Sequence, residues 1–303
     1  MTLKQLQAFY WASVLGSFAL AAQRLHTTQS SLSKRIAELE TDLGERLFDR
    51  AGSRARCTEA GERLLEHAGR MLELEDEIRR SAGSAATLQG VCRFGIGEFV
   101  AHTWLPAFVA LVRAEHPQVA LEPYIGLAKP LMSAVTSGEL DFAIVPAPSS
   151  NASVEADHLR DVAMIWTAAP SLLGASSRLT RELFERTPVI SLTHESGVSI
   201  AFEQWARQHR IRFQRTIVTN SMSAVAALTV AGVGLSLLAE GFVRPLVERG
   251  QLLELGCEPA MPEPPVLRYF FHARRDDRRW MLKALKPLAF READFKRRSV
   301  LLP

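Results

Sequence analysis

"AAQRLHTTQSSLSKRIAELETDLGERLFDR", residues 21–50, carries apolar residues at helical spacing on both sides of a short run of hydroxyl and amide side chains. Upstream, Leu6, Phe9, Tyr10 and Ser13 sit at i, i+3, i+4, i+7, and Phe18, Ala21, Ala22 and Leu25 repeat the spacing, which predicts two short amphipathic helices. Leu32, Ile36, Leu39 and Leu43 make a third stripe, at i, i+4, i+7, i+11. Thr28 is placed to cap that helix, because its hydroxyl can accept a backbone N–H of the first turn. His26-Thr27 is then the turn between the second and third helices.

Winding the third helix at about 100° per residue turns Ser30, Ser33, Lys34, Ala37 and Thr41 away from its apolar stripe, with Gln29 and Arg35 on the flanks. Such a face is either merely solvated or suited to a DNA major groove. In the groove, short side chains let the backbone approach while Gln29, Lys34 and Arg35 reach base edges and phosphates. Beyond the helix, Arg46, Arg50, Arg54 and Arg56 cluster around the turn-like tip Ala51-Gly52-Ser53, which reads as a wing carrying guanidinium groups. Glu45 and Asp49 dilute the patch and leave a salt-bridged surface open as the alternative.

The whole-chain numbers bound the rest. At 303 residues with 47% hydrophobic and 23% charged, the chain can bury more than one core and is expected to hold two or three domains. A net charge of +3 and a pI near 8.9 are only mildly basic, so the distribution of charge matters more than its sum. Cys57, Cys92 and Cys257 are far apart and lack metal or disulfide spacing, which predicts separate reduced thiols and no metal site. Runs of about 18 apolar residues are absent and MTLKQLQAFY lacks a signal-peptide layout. We therefore expect a cytoplasmic protein with no membrane partner.

Residues 1–60 strongly resemble the winged helix-turn-helix of LysR-type transcriptional regulators. The resemblance rests on Phe9, Gly16-Ser17-Phe18, Ala21-Ala22, Leu25, Gln29, Ser33, Ile36, Leu39-Glu40, Leu43-Gly44, Leu47-Phe48, Arg50 and Thr58-Glu59-Ala60-Gly61. Family members commonly carry Pro where Ser30 stands and Leu where Cys57 stands. The resemblance implies double-stranded DNA as a partner, read by Thr28, Gln29, Ser30, Ser33, Lys34, Arg35, Arg50, Arg54 and Arg56. In residues 59–88, Leu64, Ala68, Met71, Glu75, Ile78, Ala82 and Ala85 alternate at 4/3 spacing, a coiled-coil-like seam with one flaw, Glu75. A linker helix packed on its own domain is the other reading. The resemblance implies dimerisation through this helix, a two-fold operator, a homotetramer, and RNA polymerase as a further partner.

From residue 91 the rhythm becomes strand, helix, strand. "VCRFGIG" (91–97), "VALEPYI" (119–125) and "DFAIVP" (141–146) read as strands; 104–116 and 131–137 read as helices. A second set follows: strands at 162–169, 188–192, 216–219 and 234–239, helices at 199–209 and 222–231. The alternation predicts an α/β class with parallel sheets covered on both faces, in two halves joined near 150–161 and again near 268. This part resembles the family's effector domain, a two-lobed α/β unit related to type II periplasmic binding proteins, through Leu105-Pro106, "SGELDFAIV" and "VAGVGLSLL". Ala239 departs from the Pro that usually closes the last motif. The expected units are a head at 1–60, a linker at 61–89 and an effector domain at 90–303. Lobe 1 takes about 90–160 and 268–303, and lobe 2 about 161–267.

The resemblance places a small-molecule effector in the cleft, against Glu98, Phe99, Val100, Gly126, Leu127, Pro146, Ser196, Gly197 and Val198, with His102 nearby. Family pockets often offer Ser or Thr and a cationic side chain, whereas the matching places here hold Glu98, Phe99, Val100, Leu127 and Pro146. An ionised Glu98 would repel an anion in a low-dielectric cleft, so a neutral or cationic, largely apolar effector is expected unless Glu98 turns outward or pairs with an arginine. No GxSxG, HExxH, P-loop or GxGxxG is present, and His194-Glu195-Ser196-Gly197 lacks a third partner at motif spacing, so neither catalysis nor a cofactor is expected. A solute-sequestering protein that uses its first domain only to oligomerise is the competing function.

Overall fold

Thr2 opens the first helix with a reciprocal cap: its hydroxyl accepts the Gln5 N–H at 3.3 Å and the Gln5 side chain accepts the Thr2 N–H at 2.7 Å. In this computed structural model, residues 1–49, 55–81, 88–146, 148–149, 151–173, 178–259, 261–275 and 280–298 are described. Helix α1 (Leu3–Leu15) stops at Gly16, whose left-handed backbone (φ 59°) ends the helix. Ser17 caps α2 (Phe18–Arg24) and Thr28 caps α3 (Gln29–Leu43). The apolar stripe of α3 buries Leu32, Ile36 and Leu39 against α1, while Leu43 at the helix end is 40% exposed and leaves the stripe. The Phe48 ring closes this core between Phe9 (5.5 Å) and Phe18 (5.1 Å). Phe48 and Cys57 then form an antiparallel bridge, and the Asp49 N–H donates to the Arg56 carbonyl, which builds the base of the wing. The tip, with Arg50, Ala51, Gly52, Ser53 and Arg54, lies outside the described residues.

Helix α4 (Glu59–Ser81) leads away from the head. Gly61 is required at its start, since a Cβ there would come within 2.3 Å of the Leu47 carbonyl oxygen. Ala68 is buried, and Leu64, Leu65 and Leu72 pack on the head's core. Met71, Leu74 and Ile78 are instead 40%, 52% and 57% exposed. The proposed seam is therefore split: Leu64 and Ala68 in its first half cover the chain's own head, while Met71 and Ile78 farther along keep much of their surface exposed. Ala82, Gly83 and Ala85 lie outside the described residues.

The first lobe runs through β1 (Gln89–Ile96), α5 (Glu98–His102), α6 (Leu105–Glu115), β2 (Gln118–Ile125), α7 (Ala128–Ser137), β3 (Phe142–Pro146) and β4 (Val154–Val162). The chain crosses at Ala163 into the second lobe, which begins with β5 (Met164–Ala168), α8 (Pro170–Leu173), β6 (Arg178–Leu179) and α9 (Arg181–Arg186). It continues with β7 (Pro188–Leu192), α10 (Gly197–Gln208), β8 (Gln214–Thr219) and α11 (Met222–Val230). The lobe closes with β9 (Leu235–Ala239), α12 (Glu240–Glu248), β10 (Leu253–Glu254) and β11 (Gly256–Cys257). The chain then returns to the first lobe as β12 (Leu267–Arg274) and α13 (Trp280–Glu292). No described helix is long and apolar enough to cross a membrane.

Apart from the short β11-β6 pair, the two five-stranded sheets have the orders β2-β1-β3-β12-β4 and β10-β5-β9-β7-β8. They are mixed rather than wholly parallel: β12 runs antiparallel to β3 and β4, and β5 antiparallel to β9 and β10. The strands that return from the other lobe enter without the helical crossover that parallel pairing needs. Residues 154–161, expected as part of the joint, instead form with Val162 an edge strand of the first sheet that buries only Val154, Leu159 and Val162. Stacked Phe94, Phe142 and Phe271, with centroids 5.0 and 4.6 Å apart, run across β1, β3 and β12 through the first lobe. In the second lobe, Trp166 of β5 meets Phe184 of α9 and Phe202 of α10 edge-on and Trp205 of α10 at a tilt, all within the core.

Candidate functional site

Two surfaces carry the residues singled out by the sequence. On α3, Thr28 accepts the Ser31 N–H at 3.2 Å, and its hydroxyl lies 3.0 Å from that of Ser30 and 2.9 Å from that of Ser31. The helix start is thus tied within itself. Gln29, Ser30, Ser33 and Lys34 remain exposed on one side, and Arg35 is half-buried on the flank. Glu40, farther along the same helix, accepts the N–H groups of Leu47 (2.7 Å) and Phe48 (3.2 Å) and so fixes the start of the wing relative to α3. Arg56 is exposed at the wing base, next to the half-buried Cys57 whose thiol is pushed up by burial. Of the wing arginines, only Arg46 and Arg56 fall among the described residues.

The second surface is a cleft of about 740 Å³ between the lobes. Eight of the ten expected residues line it: Glu98, Phe99, Gly126, Leu127, Pro146, Ser196, Gly197 and Val198. Val100 does not; it is fully buried in the core beneath α5. His102 is also off the wall, with Nε2 3.3 Å from the Ser223 hydroxyl and its ring 5.6 Å from that of Phe242. Phe99, although on the wall, is 1% exposed and packs among Phe242, Tyr269 and Phe295, so its ring belongs chiefly to the core. Ser196 caps α10 by accepting the Val198 N–H at 3.2 Å and is buried. Its hydroxyl is therefore engaged rather than waiting for a polar ligand atom.

Pattern reading missed Ile125, Val145, Thr193, Glu195, Thr219, Asn220 and Met222, which also line the cleft. Several sit just beyond the carboxyl ends of β2, β7 and β8, where open α/β sheets hold ligands, so the strand ends were a usable signal. Thr193 is notable because its Oγ1 is buried without a hydrogen-bond partner among the described residues.

Besides the packing of Phe99 and His102 on Phe242, three contacts among the described residues join the lobes at the cleft. The Lys129 N–H donates to the Glu195 carbonyl at 3.1 Å. Gly197 lies so close to Pro146 that a Cβ would come within 2.5 Å of Pro146 Cγ. The Glu98 carboxylate accepts the N–H groups of Met222 (2.5 Å) and Ser223 (3.2 Å) and the Ser221 hydroxyl (3.3 Å). Burial alone would raise the Glu98 carboxyl, but the hydrogen bonds from Ser223 and Met222, with His102 3.6 Å away, outweigh it and hold it below the usual carboxylate range. Glu98 neither turns outward nor pairs with an arginine.

The model of the LysR substrate binding domain matches residues 85–286, and that of the bacterial regulatory helix-turn-helix proteins of the lysR family matches residues 3–62. The uncharacterized HTH-type transcriptional regulator YeiE of Escherichia coli K12 is 26% identical over 268 residues, which cover 88% of this chain and 89% of that one. Full-length OxyR from Pseudomonas aeruginosa, a variant form, superposes with a TM-score of 0.66 at 21% identity, covering 97% of this chain and 96% of that one. ArgP from Mycobacterium tuberculosis gives 0.68 at 19% identity, covering 97% and 98%. With both its reading head and its two-lobed domain matched, the chain belongs to the LysR family, as a DNA-binding transcriptional regulator modulated by a small molecule in its C-terminal domain.

Proposed function

We propose that the regulator reads a two-fold symmetric operator as a dimer, and as a tetramer built from dimers, with α3 in the major groove and the arginine-bearing wing on the flanking backbone. Gln29, Ser33 and Lys34 read bases; Thr28, Ser30, Arg35, Arg50, Arg54 and Arg56 hold phosphate. Residues 1–60 act as the reading head, 61–89 as the linker and 90–303 as the effector domain. The effector lies between the lobes, and its differential affinity for two lobe arrangements shifts the spacing of the paired heads. RNA polymerase is the downstream partner in the cytoplasm, and the C-terminal domain binds its ligand without transforming it.

One observation carries this reading: the cleft is walled by both lobes and bridged by contacts from each, so occupancy and lobe arrangement are linked. The test is DNA retention. Purified protein is expected to prefer DNA flanking its own gene over random duplex at moderate salt, with footprint spacing that changes when a metabolite extract is added. Equal affinity for both DNAs in every salt and extract would favour the solute-sequestering function instead.

A further inference from the structure

Glu98 belongs to the first lobe, yet its carboxylate is seated on the second. It accepts from Met222, Ser223 and Ser221, which open the nine-residue helix α11, where unpaired N–H groups and the helix dipole favour negative charge. That is the chemistry by which a protein ordinarily meets a ligand's carboxylate. Here a side chain from across the cleft supplies the anion.

We infer that Glu98 is the chain's built-in anion at the start of α11, that it latches the two lobes together, and that the cleft therefore selects an uncharged or cationic, largely apolar effector. The inference rests on the reading of the cleft as the effector site. A second observation supports it: the described lining holds the carboxylates of Glu98 and Glu195 and no Lys, Arg or His side chain. An incoming carboxylate would meet two like charges and no cation in a partly desolvated space. Leu127, Pro146 and Met222 offer apolar wall instead, beside a buried Thr193 hydroxyl that has no hydrogen-bond partner among the described residues.

The experiment is chemical rescue in the full-length protein, read by thermal shift and by small-angle scattering for lobe closure. Removing the carboxylate in Glu98→Ala exposes the start of α11. Acetate at millimolar concentration is expected to raise the melting temperature of that variant and restore its closed radius, whereas acetamide and matched chloride do neither. Wild type is expected not to respond to acetate. Glu98→Gln keeps the shape, so it is expected to melt below wild type without gaining an acetate response. A matched trio of benzoate, benzamide and benzylamine is run on wild type, so the outcome does not depend on the alanine variant folding. Stabilisation by the amide or amine and not by the acid supports the inference. If benzoate stabilises wild type and alters its DNA binding, the inference is overturned while the effector-site reading stands. If acetate rescues Glu98→Ala but no compound or extract changes DNA binding, the latch stands and the effector-site reading falls.

Discussion

Arg24 of α2 and Asp141, at the turn into β3, form an ion pair in which the two side chains are only 7% and 2% exposed, joining the reading head to the first lobe. The Arg24 guanidinium also lies 4.4 Å from the centre of the Trp11 ring, and Asp141 accepts the Arg93 N–H at 2.8 Å. Gly138 sits beside it, where a Cβ would stand 3.0 Å from Val14 and 3.1 Å from Leu15 at the end of α1. Head and lobe are thus in direct contact as well as being joined through α4. Asp141→Asn keeps an acceptor for Arg93 but removes the charge that faces Arg24. Since breaking one side of a buried pair costs roughly 3–5 kcal/mol, denaturant unfolding should show the head melting separately and earlier. A single unshifted transition would show that the pair does not couple the two units.

On DNA, Gln29→Ala or Ser33→Ala should each lose about 1–3 kcal/mol of discrimination between operator and random duplex, the range for a direct base contact. Arg56→Ala should weaken both DNAs alike and reduce the slope of affinity against salt. Titrations at several salt concentrations separate the two behaviours. If the base-reading and phosphate variants behave identically, the assignment of roles on this face is wrong.

The exposed apolar residues of α4 make a second surface testable. Met71, Leu74 and Ile78 project at helical spacing with 40%, 52% and 57% exposure, although apolar residues of this size are generally covered. If this surface is the dimer contact proposed above, Met71→Asp should split it, because burial of an unpaired charge is costly. Sedimentation of that protein as an unchanged oligomer would take this stretch out of the interface.

How much of this could be read from the sequence depended on whether the signal was local. Thr28 as the cap, Leu32, Ile36 and Leu39 as the buried stripe, and Gly138 as the end of α7 all depend on neighbours within one or two helical turns, and the structure agrees with each. Strand direction did not follow from alternation. Residues in β12 and β5 have the same period whichever way they run, and only the topology makes them antiparallel. The edge strand β4 was hidden because most of its residues face water. In the cleft, Glu98 stood out as an oddity in the sequence, but its partner Met222 is 124 residues away and no spacing rule connects them.

Gly197 tests lobe approach from the other side of the cleft. An alanine methyl there would sit 2.5 Å from Pro146 Cγ and 2.9 Å from its carbonyl oxygen, closer than atoms can pack. Gly197→Ala should therefore push the lobes apart and weaken effector response while leaving operator affinity of the unliganded protein near wild type. Small-angle scattering should report a larger radius of gyration; an unchanged radius together with a normal effector response would mean that the contact is not needed for closure.

The Glu98 latch has a pH dependence whose sign is fixed by its surroundings. Because the N–H groups of Met222 and Ser223, the Ser221 hydroxyl and the nearby His102 hold the carboxyl below its usual range, the closed form favours the ionised state. Its stabilisation is fully present above the ordinary carboxyl value and is lost as pH falls through the lowered one. Hydrogen bonds to a charged group contribute about 1.5–3 kcal/mol, so Glu98→Gln should melt clearly below wild type near neutral pH. Comparing the two proteins across a pH series cancels the contributions of all other carboxylates, among them Glu195 on the opposite wall. The gap in melting temperature should narrow as the buffer drops below the usual carboxyl range, about pH 4, and vanish once Glu98 is protonated in both states. A gap of constant size down to strong acid would show that the amide acts by packing alone, and that the charge of Glu98 does not hold the lobes together.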